Sequence, residues 1–283
     1  MSGGQRADVA EGALQATTTR WRLLRMLAVL LSAGLGTSMA AAFEDTMAQR
    51  VLACTGCHGA QGRAAPDGYY PRLAGKPAGY LYNQLLNFRD ERRHYALMNN
   101  LLAPLDDAYL REIAAHFAGL EVPYPAPAPI VLDAQSRAAA ERIVREGDAR
   151  RGVPACVACH GKAMTGTAPF VPGLLGLPRD YLNAQLGAWR EDRRHAQAPD
   201  CMSRVAKSID AREIGAIAGW LASQPVPADS KPVGAFAGPL PFACGGVTNA
   251  PVAVPATGHA VSVEPPAAPA ATAETARQHG TRR

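Results

Sequence analysis

The sequence predicts an all-α fold, a tandem pair of small helical domains followed by a tail. Three observations carry this. The chain repeats itself: PRLAGKPAGYLYNQLLNFRDERRH at 71–94 aligns with PGLLGLPRDYLNAQLGAWREDRRH at 172–195, an offset of 101 residues, the mark of a duplicated structural unit. Apolar residues recur at helical spacing, and no stretch alternates as a strand would. PYPAPAP at 123–129 reads as a stiff, extended linker between the copies. The organisation that follows is a leader at 1–42, a first domain at 43–122, a linker at 123–136, a second domain at 137–226, and a Pro/Ala-rich tail at 227–283. The tail has no periodicity and is expected to be largely disordered.

The elements can be taken in order. Arg20, Arg22 and Arg25 precede an apolar run at 26–35 and the small residues SMAAA at 38–42. That is the layout of a secretory signal, cleaved after Ala40 or Ala42, and it implies export to an oxidising compartment. The run is short for a membrane span, so membrane attachment would need an uncleaved leader. Helices are expected at 46–53, 77–90 and 106–118 in the first copy and at 138–146, 178–191 and from Asp210 in the second. In the 77–90 helix Tyr80, Leu81, Gln84, Leu85 and Phe88 share one face, and Asp106 and Asp210 stand as N-caps of the last helices. Copies of about 80 residues have small cores, and a buried cofactor in each would supply the missing apolar contact.

The net charge is +5. The leader holds four arginines against Asp8 and Glu11, which leaves about +3 on the remainder. No dense basic stripe exists, so the charge gives no case for nucleic acid.

Residues 54–58 read CTGCH and residues 156–160 read CVACH. A structural zinc site wants two such pairs within one short unit, whereas these fall in different copies. A redox dithiol wants a βαβ setting, which is absent. Attachment of haem c fits: Cys54 with Cys57, and Cys156 with Cys159, reach the two vinyl groups of one porphyrin, and the adjacent His58 or His160 ligates iron. Met98 and Met202 follow their motifs by similar distances and are the candidates for the sixth ligand, which closes the iron for electron transfer. His94 and His195, matched at the same offset, are the rivals. Met47 precedes its motif and Met164 follows its own by five residues.

On these residues each copy resembles a class I cytochrome c domain, and the tandem resembles the dihaem cytochromes of the c4 and c553 group. The likeness covers 45–224, from C-x-x-C-H-G through the Pro-x-Leu-x-Gly loop and the axial Met to the last helix. The resemblance implies two covalent haem c groups, and Pro71 and Pro172 as carbonyl partners of His58 and His160. It implies a periplasmic carrier that passes electrons between redox partner proteins such as a terminal oxidase, a quinol oxidoreductase or a dehydrogenase. A cytochrome subunit of a dehydrogenase or oxidase complex is the alternative. A dihaem peroxidase would need an open iron, which a Met in both copies disfavours.

Two features stay open. Cys201 and Cys244 belong to neither motif; they either form a disulfide that folds 225–244 back over the second haem edge, or remain free thiols. Arg92, Arg93, Arg193 and Arg194 either pair with haem propionates or sit as a solvated helix end.

Overall fold

The computed structural model describes residues 45–65, 68–127 and 129–247. The leader at 1–42 and the tail beyond 247 lie outside the described residues. In the first copy α1 (Met47–Arg50) and α2 (Leu52–His58) lead to the first motif, followed by α3 (Ala78–Arg89), α4 (Ala96–Leu102) and α5 (Asp107–Ala118). The second copy runs α6 (Ala134–Arg145), α7 (Val157–His160), a two-residue hairpin of β1 (Gly166–Thr167) and β2 (Val171–Pro172), α8 (Arg179–Arg190), α9 (Cys201–Lys207) and α10 (Ala211–Ser223). Among the described residues no helix is long and apolar enough to cross a membrane.

Each copy builds its own core by crossing its middle and last helices. In the first, α3 packs on α5 and buries Leu81, Phe88, Leu110, Ile113 and Phe117. In the second, α10 packs on both α6 and α8 and buries Ile143, Leu182, Ile217 and Leu221. The last helices start where the caps place them. Asp106 accepts from Tyr109 N, and Asp210 forms a full capping box with Glu213.

The expected 46–53 helix breaks at Val51 and resumes through the first motif. The stretches that hold Met98 and Met202, which fall between the helices expected from the sequence, are short helices α4 and α9. Seven residues nucleate no stable helix alone, so tertiary contacts with α3 and α8 set them.

The copies meet through a reciprocal network. Arg93 donates to Gln84 of its own copy (3.0 Å) and to Gln185 (2.7 Å) and Tyr181 (3.2 Å) of the other. Arg194 answers with Gln185 (2.6 Å) and Gln84 (2.8 Å). The backbones of Arg93 and Arg194 form an isolated bridge, and His195 N donates to Arg92 O at 2.7 Å. Tyr80 N donates to Pro169 O at 3.0 Å. Here the contact tolerates no side chain on Gly79: an added Cβ would lie 2.5 Å from the Phe170 ring and 2.7 Å from Pro169 O. The linker is fixed at its start, with Arg72 3.8 Å above the Tyr124 ring and donating to the Pro123 and Val122 carbonyls.

Residues 225–247 run against the second domain. Val233 exchanges backbone hydrogen bonds with Gly166 and Ala168, and Cys244 is disulfide-bonded to Cys201. Of the two readings left open for these cysteines, the disulfide is the one formed. The anchoring is covalent and backbone-mediated, which is why no apolar period in the tail announces it.

Candidate haem sites

Each motif turns its histidine inward at the end of a short helix. His58 and His160 are both 7% exposed. His58 Nδ1 donates to Pro71 O and His160 Nδ1 to Pro172 O, each at 2.8 Å. A carbonyl only accepts, so Nδ1 carries the proton and Nε2 keeps its lone pair, the tautomer and orientation a metal ligand needs. Burial lowers the pKa of both rings, against the opposing pull of the proline carbonyls; the imidazoles are held neutral.

Burial also raises the Cys54 and Cys159 thiols and pushes Cys156 up to about 11. A redox dithiol depends on the opposite shift, toward thiolate.

One cavity of about 1280 Å³ runs through both copies and is lined by both motifs, Met98 and Met202. It exceeds the usual 300–1,000 Å³ of a single-ligand pocket, and its lining is mostly apolar side chains. Met98 and Met202 thus share a cavity with His58 and His160. Among the rivals, His94 is exposed at the rim. His195 commits its Nε2 to Asp192 O at 2.9 Å and does not line the cavity.

The four arginines divide. Arg92 pairs with Asp90 and Arg193 with Glu191 at the surface. All four line the cavity, but Arg93 and Arg194 are the two stacked on its aromatic wall, over Phe88 (4.4 Å) and Trp189 (3.7 Å). Arg194 is 4% exposed, and its pKa is lowered to about 10 by burial first and by Arg93 second. Among the described residues neither stacked arginine pairs with a carboxylate. The stacked arginine is the second of the pair in both copies, Arg93 and Arg194, and only the aromatic rings beside it, Phe88 and Trp189, distinguish it from its neighbour. Sequence reasoning missed this division, and it missed Lys76, which is 4% exposed and donates to Gly173 O at 2.9 Å across the domain boundary.

The chain is 38% identical over 173 residues to a thiosulfate dehydrogenase electron acceptor of Thiomonas intermedia, covering 61% of this chain and 79% of that one. It is 33% identical over 201 residues to cytochrome c4 of Pseudomonas aeruginosa, covering 69% and 96%. The chain belongs to the dihaem cytochrome c4 family. Its fold matches reduced recombinant cytochrome c4 from Pseudomonas stutzeri (TM-score 0.54, 28% identity, 62% of this chain and 95% of that one). It also matches the thiosulfate dehydrogenase TsdBA of Marichromatium purpuratum (TM-score 0.53, 34% identity) over 61% of this chain, but spans only 36% of that larger chain. No protein-family model matches.

As a member of this family the cytochrome carries two covalent haem c groups and transfers electrons. The cavity fits such a group on its own chemistry. Buried cations are costly unless paired, and the buried Arg194, beside the half-buried Arg93, has only neutral acceptors. The indole Nε1 of Trp189, on the cavity wall, is buried without an acceptor. Carboxylate-bearing macrocycles in this cavity would meet both needs.

Proposed function

We propose that the chain is an exported, periplasmic dihaem carrier that receives electrons from a dehydrogenase and hands them to respiratory acceptors. Cys54, Cys57, Cys156 and Cys159 attach the haems, His58 and His160 are the proximal ligands, and Met98 and Met202 are the distal ones. The observation that carries this reading is the matched pair of histidines, each locked by a loop-proline carbonyl and facing a cavity that its own copy's methionine also lines. Haem iron supplies a reversible one-electron couple, tuned by its axial ligands and burial.

The chain's own residues do the rest. The histidine tautomer is fixed, the apolar lining would keep water from the haems, and Arg93 and Arg194, placed at the domain boundary, would neutralise their propionates. The export signal in the sequence supports the compartment. Two relatives are named thiosulfate dehydrogenase electron acceptors, which supports a sulfur-compound dehydrogenase as donor. A second reading, a subunit fixed within a dehydrogenase complex, draws on the TsdBA likeness. Co-purification with a catalytic subunit would separate the two.

A redox titration of purified holoprotein followed optically should count two haems, each with the ferric iron–methionine band. Met98→Ala and Met202→Ala should each remove one of the two bands and lower the potential of that site. Retention of both bands in either variant sinks the ligand assignment.

A further inference from the structure

The two methionine helices are held differently. In the first domain Leu97 and Leu101, on either side of Met98, are 63% and 40% exposed, and α4 is secured by hydrogen bonds within its own copy through Asn99. In the second domain the residues at the matching places are Cys201 and Val205. Cys201, the immediate neighbour of Met202, is bonded to Cys244, 43 residues on.

The strap is fastened at further points around Met202. Gly245 N donates to Pro199 O at 2.9 Å, and the strap runs so close there that a Cβ on Gly245 would lie 2.1 Å from Ala198 O. Phe242 lies under the Arg204 guanidinium, 4.5 Å from its ring centroid. Gly246 O accepts from Asn83 Nδ2 of α3 at 2.7 Å, so the strap's end also binds the first domain. Leu240, Phe242 and Val247 line the cavity that Met202 lines.

We propose that the Cys201–Cys244 strap is a positioning element for the second iron: it holds the Met202 helix in place and closes that side of the cavity to competing ligands, while among the described residues the Met98 side has no covalent clamp. The inference rests on the axial roles of Met98 and Met202 proposed above. Its physics is a population argument. An external ligand reaches the iron only when methionine has left, so its apparent affinity is scaled by the methionine-off fraction. A clamp that lowers that fraction weakens the ligand in proportion. A disulfide that merely stabilised the fold through chain entropy would not make the two irons of one molecule differ.

The test is an imidazole titration of ferric holoprotein, with Met98→Ala and Met202→Ala assigning the two iron–methionine bands. In the native protein the first band should be lost at about tenfold lower imidazole than the second. In the Cys201→Ser/Cys244→Ser double variant the second iron's affinity should rise about tenfold toward the first, with the first unchanged. Phe242→Ala, which keeps the disulfide, should move the second iron part of the way. Equal affinities in the native protein overturn the proposal. So does an unchanged second iron in the double variant or, should that variant not fold, in Phe242→Ala. If Met202→Ala loses no band, the ligand assignment itself has failed; if it loses one band and the strap variants do nothing, only the clamp has failed.

Discussion

Lys76 is an amine buried in the seam at the cavity wall, hydrogen-bonded to one neutral carbonyl and 5.8 Å from the Tyr124 ring centroid. Burial, with repulsion from Arg72 second, brings its pKa down to about 7, whereas an unfolded lysine titrates near 10.4. Between those values the unfolded chain binds more protons than the folded one, so stability rises with pH across that window. Below about 7 the full cost of burying the charge applies. Lys76→Met should remove this slope, so urea midpoints at pH 7 and pH 10 should differ less in the variant than in the native protein. At pH 7 the variant should be the more stable of the two in the same measurement. Parallel pH profiles would show that the ammonium is better solvated than its burial implies. Nothing in the repeat singles this residue out, since its partner is Leu177 and the alignment marks Lys76 only as a mismatch.

At the scale of single elements, the last helices make a matched comparison. Asp210 accepts from Arg212 N and Glu213 N, while Glu213 returns a bond to Asp210 N and takes Arg151 through both guanidinium nitrogens. Asp106 makes one cap bond. Asp210→Ala should therefore cost about 1–2 kcal/mol and Asp106→Ala about 0.5–1 kcal/mol in denaturant unfolding. An equal loss would mean the reciprocal half of the box contributes nothing. The Arg151 contact, first among its causes, holds the Glu213 carboxyl below its ordinary pKa. That stabilisation is present above the unfolded carboxyl value and fades as pH falls below it.

These caps were readable in advance because an aspartate before an apolar helical period is a local signal. The helices α4 and α9 were not, because seven residues held by tertiary contact leave no period to read. The motif cysteines, their histidines and the repeat were legible for the same reason as the caps: each is a short-range pattern. The division of the arginines and the strap depend on contacts between residues 9 to 163 apart, which composition and spacing do not encode.

For the molecule as a whole, the reciprocal interface is the distinguishing arrangement. Gly79→Ala adds a methyl where Phe170 and the Pro169 carbonyl already touch the helix. Its gain in helix propensity, about 1 kcal/mol, is set against an overpacking cost of about 1–3 kcal/mol. The net loss should fall on the seam between the copies, so thermal unfolding of the variant should separate into two transitions. Asp180→Ala, at the matching exposed site of α8, should stay within about 0.5 kcal/mol of the native protein. A single unshifted transition in Gly79→Ala would show that the seam yields easily.

The pinned linker has a consequence of its own. With Tyr124 caught under Arg72 and packed on the loop at Gly176, the two halves meet as parts of one chain at a fixed spacing. Passing an electron between the irons is then a unimolecular event, governed by geometry and driving force. Its rate does not fall on dilution, as an encounter between two separate single-haem proteins would.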